Sequence, residues 1–322
     1  MDDNIMVTVI GGYLGAGKTT LVNHILRTAD ERIAVLVNDF GDINIDADLI
    51  ESQDGETLSL ANGCICCSLV DGFAAALATI EELERRPERL VIEASGVADP
   101  ATVAAYGHSP GLELDAVVVM ADAETIRQRA VDQYVGDTVL AQLDSADIIV
   151  LNKIDLVPTD DVVTTRVWLQ DRAPDAVVVD ARDAKVGPAV LFGFTGAPRA
   201  GGAGLAAGLS HTDHGPAGDH GHADELFESW SWAGEGALER STIEALMEHL
   251  PEGVVRAKGV LSLSDDPDHL TVLQRVGGRW SLRPGRTATS PPTSQLVIIA
   301  LVGTFDGDWL AGELGQSAED LN

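Results

Sequence analysis

Basic residues are scarce in this sequence. Only 21 of 322 residues are Lys or Arg, against 51 Asp or Glu, so the formal net charge is −30 and the pI is near 4.3. A surface of that sign repels phosphate backbones and anionic lipid, which excludes nucleic acid and membrane surfaces as expected partners. The acids are spread along the chain and read as a solvated surface. Long apolar runs are also missing: the longest, "SQLVIIALVG", falls well short of the ~20 residues a membrane span needs. The start, "MDDNIMVTVI", has neither the basic region nor the extended apolar core of a secretory signal, so a cytoplasmic location is expected. Cysteine is nearly absent. All three, Cys64, Cys66 and Cys67, fall within four positions, and an odd, crowded set excludes a disulfide framework and points to a reducing compartment.

What the chain has in quantity is buried-strand pattern. "VTVI" at 7–10, "IAVLV" at 33–37, "RLVIE" at 89–93, "DAVVVMA" at 115–121 and "DIIVL" at 147–151 are short continuous apolar runs. Runs of this kind suit strands covered on both faces of a parallel sheet. Helical spacing lies between them at 19–28, 68–85, 124–133 and 137–145. The expected fold class is therefore α/β, a doubly wound, mostly parallel sheet over residues 1–194. Residues 195–223 are rich in Gly, Ala and His and read as a linker. Residues 224–322 predict a smaller α+β domain whose sheet is mostly antiparallel, with helices near 238–250 and 306–314, because the connections are too short for crossover helices.

"GGYLGAGKTT" follows the first strand and opens the first helix, with Gly12, Gly17, Lys18 and Thr19 at P-loop spacing. Such a loop, here including Gly15 and Ala16, wraps phosphates with backbone N–H groups. Lys18 reaches phosphate oxygens, Thr19 offers a hydroxyl to Mg²⁺, and Thr20 closes the set with a largely structural part. "NKID" ends the fifth strand, giving Asn152, Lys153 and Asp155. Asp155 can accept hydrogen bonds from guanine N1–H and its amine, whereas adenine would leave it unpaired and partly buried, so GTP is the expected nucleotide. In "EASGVADP", Glu93 ends a strand as a second Mg²⁺ candidate and Gly96 offers an N–H to the γ-phosphate. Asp99 either orients a water or caps the next helix. No arginine stands out as an internal finger, so slow turnover is expected.

Thiolates bind Zn²⁺ or Co²⁺, and Cys64 and Cys66, alternating in extended chain, place two sulfurs on one side. Cys67 joins them only if the chain turns. Buried small hydrophobes and a catalytic thiol are the other readings. The acidic stretch "VNDFGDINIDADLI" carries Asp39, Asp42, Asp46 and Asp48 and reads as a switch loop, its acids either metal ligands or solvated. His211, His214, His220 and His222 in the linker suit loose metal capture or a plain spacer. His24, His108, His249 and His269 are read as structural.

Taken in order, "GGYLGAGKTT", "VNDFGDINID", "ANGCICCSL", "EASGVADP" and "NKID" resemble the CobW-type GTPases, a zinc- and cobalt-linked metallochaperone family. Asp39 and Asp42 stand where that family usually has glutamates. The resemblance implies a Mg²⁺-dependent GTPase that binds Zn²⁺ or Co²⁺ at the thiols and delivers it to a client metalloprotein or a cofactor-synthesis enzyme, with a homodimer left open. A storage or sensing module, in which nucleotide is only structural, is the competing expectation.

Overall fold

The computed structural model describes residues 4–29, 31–37, 57–59, 80, 86–193, 226–288 and 293–314. The chain divides into two units, Met1–Phe192 and Gly193–Asn322. Among the described residues no helix is long and apolar enough to cross a membrane.

The first unit runs β1 (Ile5–Gly12), α1 (Lys18–Thr28), β2 (Ile33–Val37), β3 (Thr57–Ser59), β4 (Arg89–Glu93), α2 (Pro100–Ala104), β5 (Leu112–Asp122), α3 (Ile126–Ala130), α4 (Gly136–Asp144), β6 (Ile148–Asn152), α5 (Thr159–Arg172), β7 (Val177–Asp180) and α6 (Pro188–Phe192). Its seven strands lie in the order β3-β2-β4-β1-β5-β6-β7, and every pairing is parallel. The expected parallel α/β sheet is what forms. Continuous Val and Ile runs make β2, β4 and β6 buried at every position, as strands sandwiched between layers must be. The strand expected at 115–121 is longer, Leu112–Asp122, and the helix expected at 124–133 is the short Ile126–Ala130. Most of the helix expected at 68–85 lies outside the described residues.

Register decides what meets at the sheet's edges. Ile10 pairs with Glu93, Val37 with Glu93, Gly12 with Met120 and Asp122 with Asn152, so the carboxyl ends of β1, β4, β5 and β6 share one edge. That edge is where open parallel sheets bind ligands.

The opposite edge is closed by Arg89, which is 2% exposed. It donates to Thr8 Oγ1 at 2.9 Å, Asp115 Oδ2 at 2.6 Å, Glu31 Oε1 at 3.0 Å and the Phe192 carbonyl at 3.3 Å. Its guanidinium also lies 4.1 Å from the centroid of the Phe192 ring. Burial raises the Glu31 carboxyl above its ordinary range, and the opposing pull of Arg89 does not cancel it.

The second unit runs β8 (Phe227–Glu235), α7 (Arg240–His249), β9 (Val254–Leu263), β10 (Asp266–Val276), β11 (Arg279–Thr287), β12 (Thr293–Leu301) and α8 (Gly307–Glu313). Its sheet, ordered β11-β10-β9-β12-β8, is antiparallel throughout, as expected. The core gathers Trp232, Leu273 and Ile298 from the sheet with Ile243 and Met247 of α7 and Leu310 of α8.

Candidate functional site

The loop between β1 and α1 is built on three glycines with positive φ: Gly12 at 124°, Gly15 at 79° and Gly17 at 108°. Two of them are also points of close approach. A Cβ on Gly12 would stand 2.4 Å from the Met120 carbonyl oxygen, and one on Gly17 would stand 2.5 Å from Asn152 Nδ2. Glycine is therefore required there for both backbone hand and space. Lys18 is buried and its Nζ donates to the Gly12 carbonyl at 3.0 Å. Ala16 is buried, and its carbonyl accepts from Asn152 Nδ2 at 3.0 Å. Thr20 is exposed.

Glu93 ends β4 at 2% exposure, and the Thr19 hydroxyl donates to its Oε1 at 2.8 Å, across 74 residues of sequence. Beyond it the chain passes close under the glycine loop. A Cβ on Gly96 would meet Leu14 Cδ2 at 2.5 Å, and one on Gly11 would meet Pro100 Cγ at 2.3 Å. Asp99 accepts from the Ala101 N–H at 2.9 Å and caps α2, the second of the two roles the sequence offers it.

At the end of β6, Asn152 is 2% exposed and acts as a brace. Its Nδ2 holds the Ala16 carbonyl, and its Oδ1 accepts from the Ala184 N–H at 2.9 Å. Lys153 has φ 62°, an uncommon conformation for a residue with a side chain, and its Nζ pairs with Asp122 Oδ2 at 2.8 Å. Asp155 follows in a 3₁₀ turn, Ile154–Leu156. The Asp155 carboxylate is exposed: β6 stops at Asn152 and the left-handed Lys153 turns the chain out beyond the sheet.

Three residues outside the motifs touch this site. Gln142 of α4, 1% exposed, donates to the carbonyls of Gly96 at 3.1 Å and Ala98 at 2.9 Å. Ala184, with φ 55°, supplies the N–H that Asn152 accepts. Arg129 of α3 donates from Nη1 to the Leu14 carbonyl at 2.8 Å, its guanidinium 4.6 Å from the Tyr13 ring centroid. The only sequence trace of Arg129 is one basic residue in the short apolar-basic stretch "IRQRA".

Cys64, Cys66 and Cys67, the acids Asp39, Asp42, Asp46 and Asp48, and the histidines His211, His214, His220 and His222 all lie outside the described residues. Among the described residues no group of three or more His, Cys, Asp or Glu side chains is placed so that it could hold a metal ion. His249 and His269 bond locally, to the Ala245 carbonyl and to Asp266.

Comparison with known proteins matches residues 6–180 to the CobW/HypB/UreG nucleotide-binding domain and residues 227–317 to the cobalamin synthesis protein cobW C-terminal domain. A zinc chaperone CobW of Sinorhizobium sp is 29% identical over 313 residues, covering 85% of this chain and 86% of its own. The zinc chaperone CobW of Pseudomonas aeruginosa is 29% identical over 336 residues, with 91% and 86% covered. Zinc chaperone YjiA of Escherichia coli is 36% identical over 166 residues, 47% of this chain and 50% of that one. With the nucleotide-binding domain matched over more than half of the chain and the C-terminal domain following it, the chain belongs to the CobW/HypB/UreG family.

Proposed function

We propose that this protein is a cytoplasmic, GTP-hydrolysing metallochaperone that takes Zn²⁺ or Co²⁺ at Cys64, Cys66 and Cys67 and passes it to a client metalloprotein or a cofactor-synthesis enzyme. The observation that carries the reading is the Thr19 hydroxyl on the Glu93 carboxylate at 2.8 Å, at the mouth of a loop of left-handed glycines. Two hard oxygen donors beside backbone N–H groups form the donor set that suits Mg²⁺ together with a triphosphate. When bound, Mg²⁺ supplies neutralisation of the charge that develops on the phosphoryl oxygens. Thr19 and Glu93 would hold it.

Each remaining part has a role for this chain's own residues. Lys18 exchanges the Gly12 carbonyl for phosphate oxygens. Gly15, Ala16 and Gly17 offer backbone donors, and Thr20 continues the helix behind them. Gly96, lying against Leu14, brings the loop after Glu93 to the γ-phosphate side. Exposed Asp155 accepts from the guanine N1–H and amine, while Asn152 and Lys153 fix the turn that carries it. The family model and the zinc-chaperone names of the two long relatives support nucleotide hydrolysis coupled to a divalent cargo, zinc foremost.

Coupling between the two ligands is reciprocal: if the triphosphate tightens metal binding, metal tightens triphosphate binding equally. The test is to load the full chain with Mg²⁺ and either GDP or a non-hydrolysable GTP analogue and titrate Zn²⁺. At least about tenfold tighter binding with the analogue is expected, one ion per chain, lost in Cys64→Ser/Cys66→Ser. Equal affinities would sink the gating. Several ions per chain, retained in the serine variant, would instead favour storage by the linker histidines.

A further inference from the structure

The glycine loop contains a turn whose orientation is held from outside. The Ala16 N–H donates to the Tyr13 carbonyl at 3.1 Å, which closes a β-turn over residues 13–16 with Leu14 and Gly15 at its centre. Gly15 has φ 79°, the value that the third position of a type II turn requires. Types I and II differ mainly in the direction of the central peptide, and the bond that closes the turn leaves that direction open. Here the central peptide joins Leu14 to Gly15. Its carbonyl is taken by Arg129 Nη1 at 2.8 Å, and Arg129 is itself steadied by the Tyr13 ring at 4.6 Å.

A trans peptide points its C=O and the next N–H in opposite directions. Anchoring the Leu14 oxygen outward on α3 therefore aims the Gly15 N–H the other way. Asn152 does the same for the next peptide but one, holding the Ala16 carbonyl and so directing the Gly17 N–H. Among the described residues nothing packs within 4 Å of where a Cβ on Gly15 would stand, which leaves room for a ligand on that side of the turn.

We propose that Arg129 is a positioning residue for nucleotide binding: by fixing the Leu14–Gly15 peptide it presents the Gly15 N–H to the phosphates. The inference rests on the proposed phosphate site at residues 12–19. Arg129 does not act on the phosphoryl group itself.

The test uses the full chain and its Arg129→Ala, Gly15→Ala, double and Lys18→Ala variants, with a fluorescent GDP and a non-hydrolysable GTP analogue as probes. For Arg129→Ala, affinity for both nucleotides falls about tenfold, which is about 1.4 kcal/mol. KM for GTP rises in parallel, kcat at saturation stays within about twofold, and the preference for GTP over XTP is unchanged. Gly15→Ala, which disfavours the left-handed backbone without a steric clash, has the same signature. The double variant loses less than the product of the single losses, because both substitutions disturb one peptide. Arg129→Lys, which keeps a donor for Leu14, recovers part of the affinity.

Nucleotide affinities within about twofold of wild type in Arg129→Ala would overturn the proposal. So would an unchanged affinity with a kcat down about 100-fold, since the guanidinium would then act in the transition state as a finger. Lys18→Ala separates the layers. If it too binds nucleotide normally, the phosphate site itself is misread and this inference falls with it; if it loses binding while Arg129→Ala does not, only the role of Arg129 falls.

Discussion

The two edges of the parallel sheet hold buried charge in opposite ways. At the amino-terminal edge Arg89 is enclosed by Glu31, Asp115, Thr8 and the Phe192 carbonyl, so its donors end on protein groups. At the carboxyl-terminal edge Lys18 rests on a backbone carbonyl, Thr19 and Glu93 lean on each other, and Asp155 stands exposed. The first arrangement has one stable partner set. The second consists of bonds that a better partner can replace, and open turns with φ values at Lys153, Asp183 and Ala184 that side chains seldom adopt. One sheet thus separates the groups that keep it folded from the groups that can exchange partners.

That contrast can be broken at either edge. The largest effect is expected from Arg89→Met, which leaves Asp115 and Glu31 buried without their cation. A loss of about 3–5 kcal/mol and a fall in Tm of roughly 10 °C should follow in thermal unfolding. Nucleotide affinity measured well below that transition should match wild type; a selective loss of binding would join the two edges. Next comes Asp155→Asn, which exchanges one acceptor for a donor. Preference for GTP over XTP should fall about 100-fold in competition titrations, with little change in Tm. The smallest effect is on pH dependence. Burial raises the Glu31 pKa above the ordinary carboxylate range, so over that interval the native state keeps a proton that the unfolded chain has released. Its contribution is complete below the ordinary carboxylate range and is lost as pH climbs through the raised value. Glu31→Gln should therefore flatten this falling limb of the Tm–pH profile, and a limb of unchanged steepness would assign it to another group.

The comparison also explains which parts of the molecule the sequence makes legible. Strands β2, β4 and β6 announce themselves because burial on both faces needs an unbroken apolar run. Strand β3, three residues long, and helix α5, whose buried positions are only Val162, Thr165 and Leu169 among acids at Asp160 and Asp161, offer no such pattern. In the site, Gly12, Gly17, Lys18 and Thr19 are readable because consecutive residues of one loop share a task. Gln142, Arg129 and Ala184 are not, since each reaches its partner across 44 to 46, 115 and 32 residues, and a lone Gln, Arg or Ala has no spacing to read. The exposure of Asp155 was equally hidden, because it depends on where β6 stops relative to its neighbours.

Asn152 ties together two stretches of chain that lie far apart in sequence. On the proposed reading, one end of a nucleotide meets the loop it fastens and the other meets the turn three residues further on. A single side-chain amide then works as the rivet of a pair of callipers. The gap between base and phosphates is set by rigid backbone, and a molecule with the right head and tail but the wrong length between them would fit only one jaw at a time.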